Sequence, residues 1–247
     1  MIDKTLISIC IPTYNRASYL EKTLNSIILQ PEFDSSIEIV IADNFSTDGT
    51  FELVRILQQN HPNIKYFRND KNIGMEENFA KVLSLGSGVF LKLINDYLIF
   101  KEDSLLYLKN SVLKNIEIKP VLFFSNGKSK IKVDNIQLTN IDEFVHDASY
   151  WATWITCFGI WKEDYIEINN KDTLMGLMFF HTALLYQNII NKNQVIIFNC
   201  VIFDVLDVKA KGGYSLFDVF INGYLNNLLL RLVVDNILTI SKIQAVR

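Results

Sequence analysis

The chain of 247 residues has little of what loosens or staples a polypeptide: 10 Gly, 4 Pro and 3 Cys. So few Gly and Pro exclude a collagen-like or linker-rich chain. Cys10, Cys157 and Cys200 stand singly in apolar runs, which excludes a disulfide framework and any metal-type Cys spacing; they read as small buried hydrophobes of a reducing compartment. Neither sign of charge predominates, and a net charge of -3 removes the broad electrostatic case for nucleic acid as a partner. No uninterrupted apolar run approaches the roughly 18 residues of a membrane span. The first residues do not form a basic segment leading into an apolar stretch, so a cytoplasmic location is expected. What the chain has in quantity is core: 49% hydrophobic and 12% aromatic residues, with a mean hydropathy of +0.18. That is enough for one large α/β domain or two small ones.

Over the first hundred residues, short β-branched runs alternate with amphipathic stretches. Leu6 to Ile11, Ile37 to Ala42, Ile64 to Arg68 and Val89 to Ile94 read as strands. Ala17 to Gln30, Thr50 to Gln59 and Met75 to Leu85 read as helices, the first with Leu20, Leu24, Ile27 and Ile28 on one face. This order implies a mixed, mainly parallel sheet flanked by helices, joined by right-handed crossovers. Further on, Ser104 to Asn115 reads as a helix, Val121 to Phe124 as a strand and Lys128 to Asp147 as hairpins or loops. Trp151 to Trp161 and Gln194 to Val205 read as strand-like, and Leu174 to Ile190 and Leu216 to Ile243 as helical. The expected organisation is residues 1–100 as a ligand-binding half, 101–213 as a second half of the same domain, and 214–247 as a C-terminal helical segment.

A parallel sheet directs attention to the carboxyl ends of its strands, where open α/β folds bind ligands. There the chain places Pro12-Thr13-Tyr14-Asn15-Arg16, then Asp43-Asn44, then Arg68-Asn69-Asp70-Lys71-Asn72, then Asn95-Asp96-Tyr97. Every strand ends in polar side chains; Pro12, Thr13 and Tyr14 can supply a wall and backbone groups, and Asp43 with Asn44 a polar edge. Arg16 has two readings, a phosphate contact or a solvated surface charge. Thr47-Asp48-Gly49 is explained most simply as a helix start, with Asp48 capping.

"ISICIPTYNR" at Ile7 to Arg16, joined to "IVIADNFSTDGT" at Ile39 to Thr50, resembles the family 2 glycosyltransferases of the GT-A fold. The resemblance continues through "NIGMEENFAKVLSLGSG" and "LKLINDYLIF", covering about the first 105 residues. It implies a GT-A, Rossmann-like sheet and a donor site for a nucleoside diphosphate sugar formed by Pro12, Thr13, Tyr14, Asn15, Arg16, Asp43, Asn44, Asn95 and Asp96, with Asn72, Gly74 and Asn78 matching the family's Asn-x-Gly-x-x-x-Asn segment, where loop and helix entry approach the donor. It further implies inverting transfer to a hydroxyl of a glycan or lipid-linked acceptor in bacterial surface polysaccharide assembly, at the inner face of the cytoplasmic membrane. Family members usually carry two or three aspartates after the fourth strand to hold Mg or Mn. This chain keeps only Asp96, the candidate metal ligand, beside Asn95 and Tyr97. Where the family commonly has a second Asp after strand two, Asn44 adds a donor and loses a charge. The degenerate motif keeps an alternative open: a non-catalytic nucleotide-sugar-binding or scaffold subunit.

The resemblance also implies a base near the start of a late helix. His181 is the titratable side chain within that apolar stretch and has two readings, general base or core histidine. Asp172, just upstream, competes as base or as helix cap. Trp151, Trp154 and Trp161 fit either a sugar-stacking wall or a core. The stripe over residues 216–243 suits packing against the domain, a homodimer partner or peripheral membrane contact.

Overall fold

The computed structural model describes residues 5–169, 171–176 and 178–208, together with Tyr224 and Leu229. In chain order the first elements are β1 (Ile7–Thr13), α1 (Ala17–Ile28), β2 (Ile37–Asp43), α2 (Thr50–Asn60), β3 (Ile64–Arg68), α3 (Met75–Leu85), β4 (Phe90–Leu93), β5 (Leu98–Phe100) and α4 (Ser104–Lys114). They are followed by β6 (Val121–Phe124), β7 (Asn135–Leu138), α5 (Ile141–Ala148), β8 (Gly159–Trp161), α6 (Lys162–Glu167), α7 (Phe180–Lys192), β9 (Val195–Phe198) and β10 (Phe203–Val205). Two compact units result. Among the described residues the first comprises 5–119, 160–165 and 202–208; the second comprises 120–159, 166–169, 171–176 and 178–201 with Tyr224 and Leu229. The chain therefore returns to its first unit twice, which a division at residue 100 does not capture.

In the first unit the sheet runs β3-β2-β1-β4-β8, and the pairings among β1, β2, β3 and β4 are parallel. Every residue of β1 and β2 is buried, as expected of strands covered on both faces. Each apolar side chain so enclosed contributes about 1.5–3 kcal/mol. The ladder between β1 and β4 has a definite end. The Ile94 N–H donates to the Cys10 carbonyl at 3.0 Å, and the next β1 residue facing that side is Pro12, which has no N–H to give. Pairing with β2 continues to Thr13, opposite Asp43. The chain after β4 is thus released from the sheet at the point where the second strand is still held.

The second unit holds a three-stranded sheet, β6-β9-β7, with β6 and β9 parallel and β7 antiparallel to β9. The stretch expected to be hairpins or loops contains β7 and then a helix, α5. Asn140 caps that helix by accepting from the Glu143 N–H at 2.8 Å, and Phe144 and Val145 turn its apolar face inward. Most of the aromatic run after it is two 3-10 turns, Ser149–Thr153 and Ile155–Cys157, and only Gly159–Trp161 is strand. The late helix begins at Phe180, not at Leu174. Cys10 and Cys157 are buried, whereas Cys200 is exposed and departs from the expectation for all three. Apart from Tyr224 and Leu229, the segment expected to be helical over 216–243 lies outside the described residues.

Candidate functional site

The carboxyl ends of β1, β2 and β3 and the loop after β4 converge in the first unit. Asp43, last in β2, is fully buried. Its Oδ1 accepts the Ser46 N–H at 2.8 Å. Its Oδ2 accepts the Tyr66 hydroxyl and lies 3.7 Å from Arg68 Nε. Tyr66 and Arg68 are two apart in β3 and reach the same carboxylate because alternate strand residues share a face. Burial, and then the Asp43 hydrogen bond, push the Tyr66 hydroxyl well above its ordinary pKa. Its proton stays in place. Tyr66 had no part in the sequence reading, although its spacing from Arg68 was the available signal.

Asn44 is a hub. Its Nδ2 donates to Asn72 Oδ1 at 2.9 Å and to the Gly74 carbonyl at 3.0 Å. Its Oδ1 accepts from Asn69 Nδ2 at 3.1 Å and from the Ile73 N–H at 2.9 Å. A carboxylate makes the second pair of bonds but not the first, so the loop after β3 explains why an amide stands here. Asn72 also accepts the Gly74 N–H at 3.0 Å, and Gly74 itself has φ 95, a conformation that favours glycine. Asn78 is 2% exposed and is spent on protein: it donates to the Ala42 carbonyl at 2.9 Å and accepts from Asn69 at 3.0 Å. The polar atoms of Asn44 and Asn78 thus hold the loop and α3 against β2.

On the β1 side, Pro12 is buried and ends a ladder, and Tyr14 is 46% exposed. Asn15, at φ 52, donates its N–H to Ser46 Oγ and accepts from the Thr47 N–H, each at 2.8 Å. Asp48 does what the cap reading required and more. Oδ1 accepts the Thr50 N–H at 3.1 Å, while Oδ2 accepts the Ala17 N–H at 2.9 Å, so one carboxylate serves the first turns of both α1 and α2. Burial works to raise its pKa, but these hydrogen bonds outweigh burial and hold the carboxyl below its ordinary range. Around it, Ser46, Thr47, Asp48, Phe51, Glu52 and Arg68 line a cavity of about 310 Å³.

Asp96 lies on the released chain after β4, 2% exposed. Its Oδ2 accepts the Thr13 hydroxyl at 2.7 Å and its Oδ1 accepts Arg16 at 3.1 Å. Burial pushes its carboxyl up, and Arg16 and Thr13 act against that shift. Asn95, beside it, is half-buried. As a site for Mg or Mn the donor set is thin. It offers one carboxylate with both oxygens already accepting, and no group of three or more His, Cys, Asp or Glu suited to a metal occurs among the described residues. A guanidinium bonded to the same carboxylate also repels a cation, by about 4 kcal/mol per unit charge at 4 Å in a partly buried setting. These residues as arranged do not fit a divalent ion, since the Asp96 carboxylate is spent on Thr13 and Arg16.

His181, in the second unit, is 2% exposed. Its Nε2 lies 2.8 Å from the Thr153 carbonyl, so in the neutral ring that nitrogen carries the proton. Phe158 packs edge-on at 6.5 Å between centroids. Burial lowers its pKa to about 4, with the Thr153 bond acting the other way. This is a histidine kept neutral in a core, and the role of base expected of it is not carried forward. Asp172 falls in a 3-10 turn, Lys171–Leu174, and its side chain lies outside the described residues. Trp161 is fully buried against Phe90 at 5.0 Å. Trp151 and Trp154 are half-buried in the second unit, 6.1 Å apart.

Comparison with known proteins agrees with this geometry. The chain is 45% identical over 105 residues to abequosyltransferase RfbV of Salmonella typhimurium, covering 42% of this chain and 32% of that one. It is 27% identical over 217 residues to an uncharacterised glycosyltransferase, the MG025 homolog of Mycoplasma pneumoniae, covering 80% and 66%. It thus spans between a third and two thirds of the length of these relatives. Among solved structures, S. aureus TarS 1-349 in complex with UDP matches with a TM-score of 0.64 at 20% identity, over 80% of this chain and 59% of that one. A mannosyltransferase of Pyrobaculum calidifontis in complex with GDP-Man and Mn2+ matches with a TM-score of 0.56 at 17% identity, over 83% and 58%. These likenesses identify the fold as GT-A. The model of the glycosyl transferase family 2 matches residues 8–159, from the first strand through the released Asp96 to the edge of the sheet, and on that extent the chain belongs to glycosyltransferase family 2.

Proposed function

We propose that the chain is the donor-binding part of an inverting glycosyltransferase, which moves a sugar from a nucleoside diphosphate sugar to a hydroxyl of a glycan or lipid-linked acceptor. The observation that carries this is the convergence of Thr13, Asp43 and Asp96 at the carboxyl ends of adjacent parallel strands, braced by Asn15 and Asn44. Such a crevice binds nucleotides in open α/β sheets. The relatives support the substrate class: one is named an abequosyltransferase and another a glucosyltransferase acting on an undecaprenol-linked glycan. Inversion follows from direct attack of the acceptor oxygen on the anomeric carbon, opposite the departing diphosphate, with the hydroxyl proton passing to a base. Asp172 takes that role in this proposal. Tyr150, Trp151 and Trp154 offer aromatic faces for an acceptor sugar in the second unit. Peripheral contact with the membrane is the proposed route to a lipid-linked acceptor; no helix among the described residues is long and apolar enough to cross a membrane.

The test is donor turnover. Purified protein is incubated with UDP-, GDP- and dTDP-sugars, with and without a membrane extract as acceptor, and the released nucleoside diphosphate is measured. Release from one donor class, stimulated by the extract, supports a transferase. Binding of a donor with no release under any acceptor supports instead the scaffold reading that the single carboxylate at Asp96 keeps open.

A further inference from the structure

A positive charge is built into the point where β1 and β4 part. Arg16 NH1 lies 3.1 Å from Asp96 Oδ1, and the guanidinium carbon stands 5.3 Å from the centroid of the Tyr97 ring. The Thr13 hydroxyl holds the other oxygen of Asp96 at 2.7 Å. One edge of the guanidinium is therefore set by a carboxylate and one face by an aromatic ring. Exposure divides the pair unequally: the Arg16 side chain is 31% exposed and that of Asp96 only 3%. The cation is the part of the pair that solvent and ligand meet, and the carboxylate lies behind it.

The neighbours of Asp96 bear on the same point. Asn95 and Tyr97, on either side of it, add no negative charge, and no cluster of three or more His, Cys, Asp or Glu gathers a divalent ion among the described residues, whereas the Tyr97 face attracts an organic cation. A guanidinium has five N–H donors in a planar fork, and those not spent on Asp96 match the paired oxygens of a phosphate.

We propose that Arg16 supplies the positive charge that receives the diphosphate in this chain, so that a nucleoside diphosphate binds without a divalent ion. Asp96 holds and aims the guanidinium and does not serve as a metal ligand. This rests on the reading of the crevice as a donor site.

Titration calorimetry with UDP, GDP and CDP, each in EDTA and in Mn2+, tests it. The diphosphate that binds is expected to do so in EDTA with a Kd within about threefold of its value in Mn2+. Arg16→Ala is expected to weaken binding in EDTA by about tenfold or more, and Arg16→Lys, which keeps the charge and loses the fork, by less. Because Arg16→Ala leaves a buried carboxylate without its partner, the double variant Arg16→Ala, Asp96→Asn removes both charges together and is expected to show the same loss while melting cooperatively. Binding that appears in Mn2+ and vanishes in EDTA overturns the proposal and leaves the donor site standing. Unchanged binding by the double variant in EDTA overturns it as well. Binding of no diphosphate in either condition overturns the donor-site reading and this proposal with it.

Discussion

Asn44 shows how one side chain decides the shape of a loop. Asn44→Asp keeps the volume and the acceptor but loses both donors, leaving Asn72 Oδ1 and the Gly74 carbonyl facing a carboxylate. Asn72 is exposed and keeps the Gly74 N–H, and Gly74 is half-buried, so the loss is that of two hydrogen bonds, each worth about 0.5–1.5 kcal/mol. We expect a lower urea midpoint and weaker nucleotide binding, both read on the same preparation. His181 gives a prediction in pH. Its folded pKa, about 4, lies below the ordinary 6.5, so the unfolded chain binds the proton more readily. The contribution of the neutral ring is complete above pH 6.5 and is lost as pH falls toward 4, at about 1.4 kcal/mol per pH unit. Urea unfolding between those limits should show a shallower pH dependence in His181→Gln than in the wild type, and equal slopes would argue against a buried neutral ring.

At the scale of elements, Asp48 is the most consequential cap. Asp48→Ala removes acceptors from the first turns of two helices at once, and a single lost cap costs about 1 kcal/mol. A loss nearer 2 than 1 in denaturant unfolding is the expected result. The strands and helices of the first hundred residues were legible because burial on both faces of β1 and β2 demands continuous β-branched runs, and the helices between them carry a clean apolar stripe. The cap at Asp48 was legible from chemistry alone. Two elements were not. The helix α5 hid in a polar stretch whose signal was Asn140 with Glu143 three residues on, ahead of Phe144 and Val145. The aromatic run before β8 has strand-like composition but folds as 3-10 turns, because packing of large rings, as in the 4.9 Å approach of Tyr150 to Trp151, overrides propensity. At the site, the polar strand ends were legible as a group. Which of them are spent on the protein itself was not, since the bonds of Asn44, Asn78, Thr13 and Asp96 are made with partners that tertiary structure brings to them.

For the whole molecule, ligand linkage gives the broadest test of the proposed function. A nucleoside diphosphate at about 100 times its Kd adds roughly 2.7 kcal/mol to the stability of the state that binds it. The thermal transition should therefore rise with the cognate nucleotide and stay fixed with the others. The return of the chain to its first unit carries a different consequence, for synthesis on the ribosome. The strands β1 to β4 are made early, but the sheet's edge beside β4 waits for β8 at Gly159–Trp161, and β5 waits for its antiparallel partner β10 at Phe203–Val205. Until then β4 presents an open edge of unpaired N–H and C=O groups, the kind of edge that pairs with other chains. A fragment ending near residue 105 contains Asp43 and Asp96 and neither closing strand. Expressed alone it should aggregate, so the nascent protein depends on chaperones, or on fast translation, for the interval in which its proposed nucleotide site is complete in sequence and its sheet is not.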